Sequence, residues 1–182
     1  MKISPVFLLL LLFMVTAGNS FAQSKSFTEK RSSMHTYIKA ETFEGVIFSK
    51  DFMLPFLADV TASKRFTPTV DDIERAEILL SKDIQGVNAL KLNQGGIKGP
   101  VIHENLSRFV RQYFGYFTDE GDKVIYISCL LRDNYDHTPA KSARWLDGAV
   151  VVLNGGSNYW QVQANLNKKN LFGLDVNNLA AE

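Results

Sequence analysis

The stretch that decides the fold begins at Arg108 and reads RFVRQYFGYF, followed by the turn residues DEGD (119–122) and by KVIYISCLL (123–131). Both flanking runs are rich in aromatic and β-branched residues, which favour β-strands. Aspartate and glycine are typical of the tight turn that would join them. The stretch therefore predicts a β-hairpin.

Two further runs extend the predicted sheet. The sequence AVVVL (149–153) and the sequence NYWQVQAN (158–165) flank Asn154-Gly155, a pair that favours a hairpin turn. A third turn at residues 167–170 leads to a last strand at 171–176. The second run alternates between a polar set and an apolar set: Tyr159, Gln161, Gln163 and Asn165 against Trp160, Val162, Ala164 and Leu166. Alternation of this kind predicts one open, polar sheet face and one buried face.

The clearest predicted helix follows Thr69 and ends near Gly86. Thr69 can cap the helix, and acidic residues follow in the first turn, where negative charge is favourable. Apolar residues recur at helical spacing: Val70, Ile73, Ala76, Leu80 and Ile84. Glu74, Arg75, Glu77, Lys82 and Asp83 are expected on the opposite, polar face. These features predict an α+β fold in which one main amphipathic helix packs on a four- to five-stranded antiparallel sheet of consecutive hairpins.

The N-terminal residues have the order of a secretory signal peptide. Met1-Lys2 precedes a leucine-rich apolar run, and Ser20-Phe21-Ala22 is typical of a cleavage site. We expect a signal peptide at 1–22, a flexible leader at 23–40 and a single domain at 41–182. The protein is then exported to the periplasm or the extracellular space, with no stable membrane anchor after cleavage.

Charge and cysteine content narrow the function classes. The chain has 20 basic and 19 acidic residues, and residues 1–22 hold one lysine and no acid, so the remaining chain is formally neutral. A neutral chain gives no electrostatic reason to expect a nucleic-acid partner. Cys129 is the only cysteine. It lies within a predicted strand, which favours a buried, inert thiol over a nucleophile.

The candidate binding residues lie in the loop at 132–148 and on the polar face of the second predicted hairpin. Long loops on rigid scaffolds often carry function. The candidates are Asp133, Tyr135, Asp136, His137, Trp145, Tyr159, Gln161 and Gln163. Asp133, Asp136 and His137 could ligate a cation, although a solvated loop is the favoured interpretation. No residue pattern indicates a catalytic, cofactor or metal site, so none is assigned and no cofactor is expected.

The segments RQYFGY (111–116), VIYISC (124–129) and NGGSNYW (154–160), together with Trp145, resemble a group of small exported bacterial proteins of the Bacteroidetes type whose function is unknown. The resemblance covers residues 66–180 and implies no activity. The order of one helix followed by antiparallel strands is also similar to the cystatin-like fold and to the nuclear-transport-factor-like fold. The Gln-x-Val-x-Gly segment of cystatins does not occur here, so protease inhibition does not follow from the fold.

Two functions follow as hypotheses. The first is an exported, non-catalytic domain that binds a protein, peptide or glycan through the open sheet face and the 132–148 loop. The alternative is a small nuclear-transport-factor-like enzyme with a pocket between helix and sheet. A polar pocket containing His103 or His137 would favour the enzyme, whereas a filled apolar interface would favour the binding domain.

Overall fold

The predicted hairpin at 108–131 is present in the computed structural model, which describes residues 26–54, 60–134 and 144–178. Strand β5 (Phe109–Phe117) pairs antiparallel with β6 (Lys123–Leu131) along its whole length. In the turn between them, Gly121 has a φ of 87°, a backbone conformation that glycine adopts without steric cost. The residues that suggested the hairpin therefore form the centre of the sheet.

The described residues contain eight strands and one main helix. The remaining strands are β1 (Phe27–Lys30), β2 (His35–Lys39), β3 (Glu44–Phe48), β4 (Arg65–Phe66), β7 (Tyr159–Asn165) and β8 (Asn170–Val176), and the helix α1 spans Val70–Val87. The strand order is β1-β2-β3-β5-β6-β7-β8, and β4 also pairs with β5. Only the pairing of β3 with β5, among those described, is parallel. The α+β prediction is confirmed, but the sheet has eight strands rather than four to five.

The additional strands come partly from residues that we assigned to a flexible leader. Within residues 23–40, β1 and β2 form the edge of the sheet next to β3. All four residues of β1 are exposed, and in β2 only Ile38 is fully buried. An edge strand with few buried side chains lacks the apolar alternation that identifies a strand in sequence. The folded domain therefore begins before residue 41.

The second predicted hairpin is replaced by a different pairing. Residues 149–153 form no strand, and the edge of β6 pairs with β7 from Leu130 opposite Tyr159 to Val124 opposite Asn165. The Asn154-Gly155 turn instead brings Asn154 beside Asn178 in an isolated parallel bridge. The predicted third turn is correct, because β7 and β8 pair antiparallel across it.

The start of α1 is fixed by a capping box. The Thr69 side chain accepts a hydrogen bond from the Asp72 amide, and Asp72 accepts one from the Thr69 amide. Lys123 Nζ on β6 lies 3.0 Å from both carboxylate oxygens of Asp72, which is 2% exposed. Burial acts to raise the pKa of Asp72, but the hydrogen bonds from Lys123 and Thr69 outweigh it, and the pKa lies below its usual value. Asp72 thus joins the beginning of α1 to the sheet.

The first core lies between α1 and one face of the sheet. Its helix residues are Ile73, Ala76, Leu79, Leu80 and Ile84, and its sheet residues include Ile125, Ile127, Trp160, Val162 and Ala164. Trp160, Val162, Ala164 and Leu166 were predicted on the buried face, and all are buried. The predicted packing of helix on sheet is confirmed.

Within this core lies a buried ion pair that was not predicted from the sequence. Glu77, predicted on the polar face, is buried, and its Oε1 lies 2.9 Å from Arg111 Nε on β5. Tyr113 donates a hydrogen bond to the same oxygen at 2.8 Å. Arg111 also donates to the carbonyls of Phe109 and Leu106. Burial raises the pKa of Glu77, although the guanidinium and the Tyr113 hydroxyl oppose that rise. The helical spacing places Glu77 on the core face, four residues after Ile73, and Arg111 supplies the partner that its buried carboxylate requires there.

The second face of the sheet carries its own core. Val46, Phe48, Val110, Phe114, Tyr126 and Leu130 pack there against Trp145 and Val150. Phe52 and Leu54 pack at its margin. The prediction of one open sheet face is therefore wrong over β3 and β5, where the chain around residues 145–150 covers the strands.

The Asp72 interactions predict a pH-dependent stability. We expect Asp72→Asn to lower the free energy of unfolding at pH 7 by about 1–2 kcal/mol. Because the folded-state pKa of Asp72 is depressed, its contribution is present above the unfolded pKa of about 3.9 and is lost as pH falls through the folded value. Urea unfolding across pH 7 to 2 should show the variant and the wild type converging below about pH 4.

Asp71→Asn is the matched control for this series. Asp71 lies in the same helical turn, but its side chain is 72% exposed and its nearest cation, Arg75, is 3.9 Å away. The control should change stability by less than about 0.5 kcal/mol. Equal losses in both variants, or an Asp72→Asn loss that does not change with pH, would contradict the assignment.

The buried ion pair predicts strong coupling between Glu77 and Arg111. Glu77→Gln keeps an acceptor for Tyr113 but leaves the guanidinium without a counter-charge, so we expect a loss of about 3 kcal/mol or more. Adding Arg111→Met should recover much of that loss, because no buried charge then remains. A double-mutant cycle by urea unfolding measures the coupling. Additive single losses would show that the pair does not interact as described.

Candidate functional site

A cleft lies on the second face of the sheet at the margin of the second core, whose residues Tyr126, Leu130 and Val150 contribute to its lining. Its volume is about 320 Å³. The cleft is lined from β6 by Tyr126, Ser128 and Leu130, from β7 by Tyr159, Trp160 and Gln161, from β8 and the residues after it by Asp175, Val176, Asn177 and Asn178, and from the preceding connection by Val150, Val151, Val152 and Leu153.

The floor of the cleft is a row of polar side chains across three strands. Ser128 on β6 lies opposite Gln161 on β7, which lies opposite Asp175 on β8. Residues opposite each other on neighbouring strands share a face, so the three side chains form one line. Gln161 Nε2 donates to Asp175 Oδ2 at 2.6 Å. The sheet register alone brings a hydroxyl, an amide and a carboxylate together.

The wall of the cleft is held by Gln112, which is fully buried on β5. Its Nε2 donates to the carbonyls of Trp145 at 2.7 Å and Gly148 at 2.8 Å, and its Oε1 accepts from the Val150 amide at 2.9 Å. One side chain thus satisfies three backbone groups of the chain that covers the second core. Residues 150–152 enter the cleft wall directly from this anchored segment.

The end of the cleft is closed by residues 177–178. Asn177 Nδ2 donates to the Val152 carbonyl, which joins β8 to the wall. The Gly155 amide donates to the Asn178 carbonyl at 2.8 Å, and Asn93 Nδ2 donates to Asn178 Oδ1 at 2.8 Å. The rim is therefore fixed by hydrogen bonds with two other parts of the chain, residues 152–155 and Asn93.

Several polar atoms of the cleft have hydrogen-bonding capacity left. Among the described residues, Ser128 Oγ, Gln161 Oε1, Asp175 Oδ1 and Asn177 Oδ1 have no partner. These atoms are also not among the fully buried, unpartnered polar atoms, so solvent or a ligand can reach them. Asp175 is the only charged side chain that lines the cleft in this part of the chain. The arrangement can accept hydrogen bonds from a bound molecule and can orient it.

The structure does not bring all the predicted binding residues together. Tyr159 and Gln161 line the cleft. Gln163 lies on the same face outside the cleft, where Tyr116 donates to its Oε1. Asp133 lies on the surface and forms an ion pair with Arg108 at 2.6 Å. Tyr135, Asp136 and His137 fall outside the described residues.

Trp145 is not available as a surface contact. It is only 3% exposed and belongs to the second core. The assignment failed because the loop was treated as solvated, whereas Gln112 holds its last part against the sheet. The beginning of the loop does contact the site, since Asn134 Nδ2 donates to the Tyr159 hydroxyl at 3.2 Å.

Sequence reasoning missed Ser128, Asp175 and Asn177 as site residues. Ser128 alternates with Tyr126 and Leu130 in the predicted strand, which was a usable signal for its face. Asp175 could not be placed, because a bulge between Gln161 and Gln163 shifts the register of β8. Asn177 depends on a return of the chain to residue 152 that no local pattern indicates.

The reactive side chains of the described residues lie away from the cleft. Cys129 is fully buried, as predicted, and burial raises the pKa of its thiol. His35 packs against Phe48, and His103 Nδ1 lies 3.0 Å from Asn88 Nδ2 near the end of α1. Residues 26–54, 60–134 and 144–178 hold no group of three or more histidine, cysteine or acidic side chains that could bind a metal ion. In the same residues, no helix combines the length and the apolar character needed to span a membrane.

The fold and the cleft define an α+β domain with a preformed polar site on the outer face of its sheet. Comparisons with protein-family models, with curated proteins and with solved structures find no match to this chain. The geometry of the cleft is therefore the feature of the protein that indicates a function.

The anchoring by Gln112 predicts a local effect of its loss. Gln112→Leu leaves two carbonyls and one amide without partners, so we expect a loss of about 3 kcal/mol in the free energy of unfolding. Hydrogen exchange at the Val150 amide should accelerate more than exchange in β6. Gln163→Leu, which adds the same apolar side chain elsewhere on this face, is the control. If both variants left Val150 equally protected, Gln112 would not be the anchor.

Proposed function

We propose that the protein is an exported, non-catalytic domain that binds a protein, peptide or glycan partner at the cleft between β6, β7, β8 and residues 150–153. The observation that carries this proposal is the line of Ser128, Gln161 and Asp175, whose remaining polar atoms are accessible in a rigid cleft. A site whose groups are already fixed loses little entropy on binding.

The position of the site refines the original hypothesis. The exposed part of the second sheet face lies over β7 and β8 rather than over the whole sheet, because Tyr126, Ser128 and Leu130 on β6 are buried. The 132–148 loop takes part through Asn134, which holds the hydroxyl of Tyr159, and through residues 145–148, which hold the wall.

Two observations favour binding over the enzyme alternative. The interface between α1 and the sheet, where a nuclear-transport-factor-like pocket would lie, is filled by apolar side chains such as Ile73 and Leu80 and by the Glu77–Arg111 ion pair. The residues opposite Ser128 on the two neighbouring strands are Gln161 and Gln112 rather than a histidine, whereas a serine nucleophile needs an adjacent base.

The export assignment is part of this proposal. It rests on the signal-like order of residues 1–22 and on a chain with a single cysteine, which fits a bacterial envelope protein. Expression of the full chain in a bacterial host, followed by mass spectrometry of the exported product, should show a new N-terminus near Gln23. Retention of residues 1–22 in the cytoplasmic fraction would contradict it.

A ligand screen with the exported protein tests the binding function. Peptide and glycan libraries are screened by ligand-observed NMR, and hits are titrated into ¹⁵N-labelled protein. We expect a hit to shift the amides of Gln161, Asp175 and Val152 while those of α1 remain unchanged. A parallel panel of hydrolase substrates is included. If a substrate is turned over and the Gln161→Ala variant loses that activity, the enzyme alternative replaces the binding function. If neither the peptide nor the glycan library gives a hit, the proposed binding function is wrong.

A further inference from the structure

We propose that the ligand of the cleft is an uncharged carbohydrate chain. This inference rests on the binding function proposed above and names the chemical class of its ligand. Three properties of the cleft carry it: an excess of hydrogen-bond acceptors, a nearly uncharged lining, and a fixed aromatic ring at the rim.

The acceptor excess follows from the partners of the two amide side chains. Gln161 faces the Asp175 carboxylate, which only accepts, so the Gln161 nitrogen must point to it and Oε1 remains free. Asn177 faces the Val152 carbonyl, which also only accepts, so its Oδ1 remains free as well. Together with Asp175 Oδ1, these two amide oxygens make three acceptors that are open to a ligand. The Ser128 hydroxyl is open as well. The matching ligand must supply several hydrogen-bond donors.

The charge of the residues that line the cleft excludes strongly ionic ligands. Within the described chain, no lysine, arginine or histidine lines the cleft, so a phosphate, a uronic acid or an acidic peptide would meet only the Asp175 carboxylate and be repelled. A cationic side chain would find one carboxylate that Gln161 already engages at 2.6 Å. An uncharged molecule with many hydroxyl groups satisfies the open acceptors without burying a net charge.

The rim provides the apolar contact that a sugar ring also needs. The Tyr159 ring is held by Asn134 at its hydroxyl and by Gly155 at its edge, where a Cβ atom would lie 2.7 Å from Cδ2. Leu153, which also lines the cleft, is 82% exposed. Aromatic rings present large, rigid apolar surfaces that combine with a polar end. A cleft of about 320 Å³ is at the small end of ligand sites, with room for about one or two sugar residues.

A peptide added as a strand does not fit this geometry. Strand addition uses the free edge of a sheet, and the floor of the cleft consists of strand faces whose backbone groups are already paired between β6, β7 and β8. Recognition here is by side chains.

The test is calorimetric titration of the exported protein with linear oligosaccharides. The neutral probes are oligomers of glucose (α- and β-linked), xylose, mannose and N-acetylglucosamine, and the contrast probes are an oligogalacturonate and a lysine-rich peptide. At least one neutral oligosaccharide should bind with a Kd below about 1 mM, whereas the contrast probes should not. Gln161→Ala should weaken binding by about tenfold and Asp175→Asn by about threefold.

Gln163→Ala is the matched control, because Gln163 lies two residues further along β7 on the same face but outside the cleft. It should change the Kd by less than about twofold, and circular dichroism should show all variants folded. Neutral-sugar binding that is insensitive to Gln161→Ala would overturn this inference, because the sugar would then bind elsewhere. Binding only of the oligogalacturonate or the peptide, with sensitivity to Gln161→Ala, would overturn the ligand class and leave the binding function intact. Failure of every probe here overturns the carbohydrate assignment, while failure of the full peptide and glycan screen is what overturns the binding function.

Discussion

The fold depends on the alternation of side chains along β5. Successive residues of a strand point to opposite faces, so the neighbours Arg111 and Gln112 reach opposite layers of the molecule. Arg111 binds Glu77 of α1 on one face, and Gln112 binds the backbone of residues 145–150 on the other. Both polar side chains are buried in a strand that is otherwise rich in aromatic residues. Arg111 therefore fixes the position of α1, and Gln112 fixes the position of residues 145–150. Displacement of either segment would leave a buried polar group without a partner.

The candidate site depends on the fixed position of residues 145–150. Gln112 does not line the cleft, yet its hydrogen bond with the Val150 amide fixes the chain where it becomes the cleft wall. The floor is fixed separately by the register of β6, β7 and β8. A site with both its floor and its wall built on the scaffold can hold side chains at defined distances without help from a ligand.

The parts of the fold that could be predicted are those with a local cause. The capping box at Thr69, the apolar stripe of α1 and the alternation of β7 each operate within a few residues, and they correctly placed the helix, its core face and two cleft residues, Tyr159 and Gln161. Most features that failed have distant causes. Trp145 is buried because Gln112 on β5 holds its backbone. Glu77 is the exception, because it lies four residues after Ile73 and three before Leu80, so the helical spacing itself places it on the core face. The Asn154-Gly155 signal for a hairpin was overridden because both edges of β7 are occupied, one by β6 and the other by β8.

The parallel pairing of β3 with β5 has a consequence for how the chain reaches this structure. Gly45, Val46 and Ile47 lie opposite Arg111, Gln112 and Tyr113, and β5 begins at Phe109, 61 residues after β3 ends at Phe48. During synthesis the first three strands emerge together, but the outer edge of β3 stays open until β5 appears. That edge carries apolar side chains that end up buried in both cores. An open apolar edge is a template for pairing with another chain, so the nascent protein is most vulnerable to aggregation in the interval between these two strands.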